Sequence, residues 1–336
     1  MRLLKYLVKR IAVFIPLLFC VVFITFCLIR QLPGNPAETL AGPQAYEETI
    51  KSLEKQMGLD KPILEQFADY MSGLLKGDMG YSWFTSNDVT DDLASRFPAT
   101  LELITVSIVF AIIIGVSFAV CKAYKPKGIV SRVGTVYGML AGAFADFWLG
   151  LMLVFILFTK LRVVPSPMGR LNLFTTPPTH ITGMYLVDSL LTGNMKTFVD
   201  AFKHLFLPAL TLGLVHGAAF MKMTSSTMGE IIESDYIHHA KMMGLPKRKI
   251  VGHTFRNTIP AVLMTIGSTY SFLLGGAVLI ENVFSWGGLG QYVTSALANK
   301  DYAALQGFII VATLFSMILY LIIDLIQMTV DPRIDY

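Results

Sequence analysis

Charge is what this chain has least of. Charged side chains make up 15% of its 336 residues against 54% hydrophobic ones, and the mean hydropathy is +0.60. That little polar surface cannot cover a soluble globule of this length, so the chain reads as an integral membrane protein. Cysteine is scarce as well. Cys20, Cys27 and Cys121 all lie inside apolar runs with no CxxC and no Cys/His cluster, which argues against a disulfide framework or a zinc site. No G-x-x-x-x-G-K-[ST] phosphate loop, G-x-S-x-G, H-E-x-x-H or suitably placed carboxylate pair occurs. The chain is expected to carry out no covalent chemistry and to hold no metal, and a net charge of +4 is too modest to suggest nucleic acid as a partner.

What is present is a series of long charge-poor runs. A bilayer needs about 20 apolar residues in a helix, and Ile11–Ile29, Leu103–Cys121, Val133–Thr159, Ile259–Ile280 and Ala303–Ile323 meet that length. Leu205–Met221 is shorter but plausible. Helices are expected for all six, because lipid offers backbone groups no water. The first run is too long for a signal-peptide core and no small-residue cleavage site follows it, so it reads as an uncleaved first span. With the N-terminus in the cytoplasm, fifteen of the 27 lysines and arginines fall in the shorter inside segments, among them Arg2, Lys5, Lys9 and Arg10 and finally Arg333. This density places both termini inside.

The expected divisions are residues 1–29, an N-terminal segment with the first span, then 30–101, a helical extracytoplasmic subdomain punctuated by LPGNPAETLAGP, MGLDKP and GDMGYSW, and 102–336, a core of five spans. Lys160–His204 is a second outer segment. Its Met184–Leu191 and Phe198–Leu205 stretches are expected to lie on the membrane surface.

The polar run Glu230–Pro260, EIIESDYIHHAKMMGLPKRKIVGHTFRNTIP, stands between two spans. Ile232, Tyr236, Ala240 and Met243 recur at three- and four-residue steps, which predicts one face of a short amphipathic helix. Gly244 ends that helix and Pro246 prevents its restart. On these features alone a solvated basic loop explains the run equally well. Among ionisable groups within the spans, Asp146 in AGAFADFWLGL reads as a hydrogen-bonded packing carboxylate or as part of a substrate path. His216 in TLGLVHGAAF reads first as a packing histidine. Glu281 and Asp324, at the ends of apolar runs, read as anchors.

Over nearly its whole length the chain resembles the permease subunits of the dipeptide, oligopeptide and nickel branch of ABC importers. The resemblance rests on LPGNPA, GLDKP, GDMGYS, RFPATLEL, FWLGLMLV, HLFLPALTLGL, DYIHHAKMMGLP, HTFRNTIP, ENVFSWGGLGQ and DPRIDY. It implies an all-α, six-span type I permease. Within a cytoplasmic loop at 225–258 it implies a coupling motif of alanine followed four positions later by glycine, occupied here by Ala240 and Gly244. The implied coupling residues are Glu230, Asp235, Tyr236, His238, His239, Ala240, Met243, Gly244 and Leu245. Asp146, Phe147, Trp148 and His216 are the candidate substrate path, and Glu281, Phe284, Trp286 and Gly288 the candidate outer gate. The implied partners are two cytoplasmic ATPase subunits, which would bind the ATP and magnesium, a second permease and an extracytoplasmic binding protein. Departures from the pattern are Ser225 and His238 where arginine is usual, Ala145 for proline before Asp146, and Gly287 for proline. The cargo is expected to be a di- or oligopeptide, with nickel or a metal chelate as the alternative. An ion-driven transporter or channel would leave the loop without a purpose.

Overall fold

The computed structural model describes residues 2–330, with side chains from Tyr6 to Thr329. The DPRIDY motif with Arg333, and the Arg2 and Lys5 side chains, lie outside the described residues.

The chain forms two compact units, one containing residues up to Thr100 with Gly287–Ile318, the other Leu101–Trp286 with the residues from Leu319 on. In sequence order the helices are α1 Arg2–Arg30, α2 Pro36–Ala41, α3 Glu47–Gln56 and α4 Ile63–Leu74, then a two-residue antiparallel ladder of β1 Tyr81–Ser82 and β2 Asn87–Asp88. They continue with α5 Val89–Tyr124, α6 Ile129–Leu140, α7 Asp146–Leu153, α8 Tyr185–Leu191, α9 Met195–Ile232, α10 Asp235–Met242, α11 Lys247–Gly276, α12 Val278–Val283, α13 Leu289–Ala298 and α14 Tyr302–Val330. Among the described residues α1, α5, α9, α11 and α14 are each long and apolar enough to cross a membrane.

The sixth candidate differs from its expectation. Val133–Thr159 is not one helix but falls in two helical stretches, Ile129–Ala143 with α6 and a 3-10 turn and Asp146–Lys160 with α7 and a π-helical end, bent by 110° where Phe144 and Ala145 are extended. Hydropathy is blind to this break because both halves are apolar. Asp146 is its only sequence mark, since an acid in the first turn favours a helix start there. The Phe144 ring stacks on Trp148 across the break at 5.0 Å. Phe198–Leu205, expected as a separate surface stretch, is the opening of α9. Asn194 caps that helix by accepting from the Thr197 amide at 3.1 Å, and the helix then runs on through Pro208.

In the first unit Ile29, Val89, Leu93, Leu289, Tyr292 and Leu305 form a buried core. Gln306, buried, donates to the Val22 carbonyl at 2.9 Å and to Thr25 Oγ1 at 3.1 Å, tying α14 to α1. The insertion between α1 and β1 lies along α1, where Phe67 of α4 meets the rings of Phe19, Phe23 and Phe26 at 5.1–5.9 Å.

In the second unit α9 is the hub, in contact with α6, α7, α8, α10 and α11. Its Gly213–Leu–Val–His–Gly217 stretch lets it approach α5. A Cβ at Gly213 would overlap Phe110, and one at Gly217 would overlap the Tyr137 hydroxyl, which donates to the Leu214 carbonyl at 2.6 Å. Close backbone approach of this kind is how helices associate where lipid removes the hydrophobic drive. The segment after α7 is pinned by a buried ion pair. Arg170 donates to Glu102 at 2.7 Å and to the Gly183 carbonyl at 3.0 Å, and Glu102 accepts from the Leu186 amide at 2.6 Å. Asp188 caps the turn before α8 by accepting from Ile181, Thr182 and Gly183. Burial raises the pKa of its carboxyl, but the Thr182 hydroxyl and the three amides outweigh burial and hold it below the usual carboxylate range.

Candidate functional site

Ser234 precedes α10 in extended geometry, and its carbonyl accepts from the Ile237 and His238 amides at 3.0 Å. Asp235 stands in the first turn and His239 and Lys241 in the last, an arrangement that complements the helix dipole. At the far end Leu245 N–H bonds the Ala240 carbonyl at 3.2 Å and Gly244 N–H the Lys241 carbonyl at 3.0 Å. This pair of bonds is a Schellman closure, which needs a left-handed residue. Gly244 supplies it at φ +74°, and a Cβ there would point into open space.

The inward face of α10 is not the one expected from the three- and four-residue steps. Ile237 and Ala240 are buried, while Tyr236 and Met243 are 55% and 74% exposed. Of the expected face only Ala240 turns inward, and Ile232 belongs to the end of α9. The reason is that α10 is seated on α9 and α11, and Ile237 is the side chain that reaches them. Tyr236, Met242 and Met243 are left as an outward apolar surface flanked by the exposed His238 and His239. Asp235 and Glu230 are also exposed, and Leu245 is half-buried.

Among the path candidates, the fold brings Asp146 and His216 together. His216 Nε2 lies 3.3 Å from Asp146 Oδ2, with the two side chains 15% and 19% exposed. The His216 ring is 5.6 Å from that of Phe272. Phe147, Trp148 and Phe272 are exposed, so this pair is bordered by uncovered aromatic surface.

The outer candidates are placed differently. Glu281, Phe284 and Trp286 are buried. Phe284 and Trp286 hold the segment after α7, since Gly169 N–H bonds the Phe284 carbonyl at 2.9 Å and the Arg170 guanidinium lies 5.9 Å from the Trp286 ring. Gly288 is the extended residue at the start of α13. Within the second unit α12 packs on α7, with Ile280 and the Phe284 ring against Gly150, about one turn after Asp146. Sequence reading missed Arg170 and Glu102, although VVPSPMGR and RFPATLEL contain them. A lone arginine in a turn-rich segment and an acid just before an apolar run were the available signals.

Comparison with known proteins matches residues 107–336 to the family described as binding-protein-dependent transport system inner membrane component, and residues 3–104 to the N-terminal model of that system. The chain is 36% identical to the probable D,D-dipeptide transport system permease protein DdpB of Escherichia coli, over 93% of this chain and 92% of the relative. It is 35% identical to the dipeptide transport system permease protein DppB of Alkalihalophilus pseudofirmus, over 99% and 100%. Identity to the glutathione transport system permease protein GsiC of Escherichia coli is 29%, over 99% of both. With several membrane-length helices and both models matched, the chain belongs to the binding-protein-dependent transport system inner membrane components, the multi-pass permeases of ABC importers that include the dipeptide permeases.

Proposed function

We propose that this chain is one half of the pore of an ATP-driven importer of di- or oligopeptides. A second permease completes the pore, an extracytoplasmic binding protein delivers the peptide, and two cytoplasmic ATPases supply the work. ATP and magnesium bind those ATPases. The peptide cargo is supported by the relatives described for dipeptides, a D,D-dipeptide and glutathione. The observation that carries the coupling role is α10. It is a short helix stopped by Gly244 and seated on α9 and α11 through Ile237 and Ala240, with Tyr236, Met242 and Met243 facing outward. An exposed tyrosine with adaptable methionines suits a groove on a partner. A groove that moves on ATP binding would transmit its motion through α10 to the two membrane helices beneath. Asp146 and His216 are read as part of the substrate path.

The test is ATP-dependent peptide uptake by the reconstituted complex with Met243→Glu, an exposed change that leaves the seat of α10 intact, alongside Gly244→Trp, which adds bulk at the stop. Both are expected to abolish uptake and peptide-stimulated ATP hydrolysis. Uptake at the wild-type level in both would end the coupling assignment.

A further inference from the structure

The first unit contains a cavity of about 510 Å³ that the transport reading does not use. Its floor is the end of α1 and the first turns of α14, and its walls come from α2, from Tyr70 of α4 and from the ladder. Phe26, Tyr81 and Trp83 make it aromatic, with the Tyr81 and Trp83 rings edge to face at 5.5 Å. Because it is built on the ends of two membrane-length helices and α4 packs along α1 as deep as Phe19, the cavity lies at the membrane boundary.

The polar groups in it are mismatched. The Arg30 guanidinium sits 3.4 Å over the Phe26 ring and uses Nε to donate to Gln66 at 2.7 Å. Among the described residues, neither Arg30 nor Lys300, which also lines the cavity, forms an ion pair with the carboxylates around it. Asp301, on the same wall, is engaged by the Ser82 hydroxyl and by the Ala304 amide at the start of α14. Tyr70 Oη and Gln306 Oε1 are buried without partners, and Gln306 is only 2% exposed. A half-buried cation without a counter-charge and buried polar atoms without partners are each costly.

One kind of molecule answers all of these groups. A phosphate offers acceptors to Arg30, Lys300 and Tyr70, a headgroup hydroxyl offers a donor to Gln306, and an acyl chain fits the aromatic wall beside the membrane. We propose that this cavity binds a single anionic phospholipid of the surrounding membrane, with its phosphate on Arg30 and Lys300.

The experiment titrates delipidated full-length protein, with whatever subunits co-purify, with phosphatidylglycerol and counts bound lipid by native mass spectrometry. One tight site is expected, with Arg30→Gln weakening it about tenfold, as loss of a charge-assisted hydrogen bond does. The exposed Lys76→Gln should leave it unchanged. Thr39→Trp, an exposed position on α2 at the mouth, should expel the lipid with both cations in place, which keeps the test valid if Arg30→Gln fails to fold. Wild-type binding by both Arg30→Gln and Thr39→Trp would overturn the assignment. So would displacement of the lipid by inorganic phosphate or a dipeptide, since the cavity would then serve a soluble anion.

Discussion

Asp146 opens α7 and its carboxylate is already engaged by His216 at 3.3 Å, so a substrate ammonium group would share that carboxylate instead of meeting a free one. The charge itself is selective, since a cationic side chain gains from it and a neutral one does not. Asp146→Asn is therefore expected to lower uptake of a lysine-containing dipeptide relative to a neutral one by roughly tenfold, the value of one charged hydrogen bond. Competitive uptake in the reconstituted transporter measures the ratio. An unchanged ratio with a lower yield of assembled complex would reduce the pair to packing.

At the level of elements, the segment after α7 is anchored through Arg170, whose guanidinium also lies 3.6 Å over the Tyr185 ring at the start of α8. With the two side chains 12% and 4% exposed, removing one partner leaves the other charge buried, at a cost of about 3–5 kcal/mol. Arg170→Ala is expected to lower the thermal denaturation midpoint and to speed amide exchange at Gly183 and Leu186. Arg170→Met with Glu102→Leu should recover most of the loss, because an apolar pair leaves no stranded charge. Equal midpoints for wild type and Arg170→Ala would mean that the pair anchors nothing. The approach of α9 to α5 rests on a different device. Gly213 and Gly217 stand one turn apart and expose backbone to α5 and to Tyr137, so shape, not charge, sets that contact.

For the whole molecule, the lysine and arginine distribution and the proposed coupling role predict that α10 faces the cytoplasm. His238→Cys, an exposed position, in a background with Cys20, Cys27 and Cys121 replaced by serine, is expected to react with a membrane-impermeant maleimide in inside-out vesicles only. Labelling in right-side-out vesicles would reverse the topology.

Much of this organisation is legible in the sequence. Runs of bilayer length identify themselves, because insertion depends on the composition of one segment and on no neighbour. The helix stop at Gly244 was legible for the same reason, since it depends on local backbone geometry alone. Charge scarcity and the spacing of separated motifs carried the class. The contacts that bridge distant positions were not legible. The break between α6 and α7 occurs in a stretch that is apolar on both sides and marked by a single acid, Asp146, and the inward face of α10 was decided by α9 and α11. Arg170 meets Glu102 across 68 positions, and Gln306 meets Val22 across 284. The sequence by itself determined most of the segments that are long and apolar enough to cross a membrane and that one polar helix stands between two of them, because those are properties of single stretches. Only the tertiary structure decided which side chains α10 presents, that Asp146 and His216 meet, and that Arg30 ends in an aromatic cavity without a counter-ion, because each depends on which helices share a neighbour.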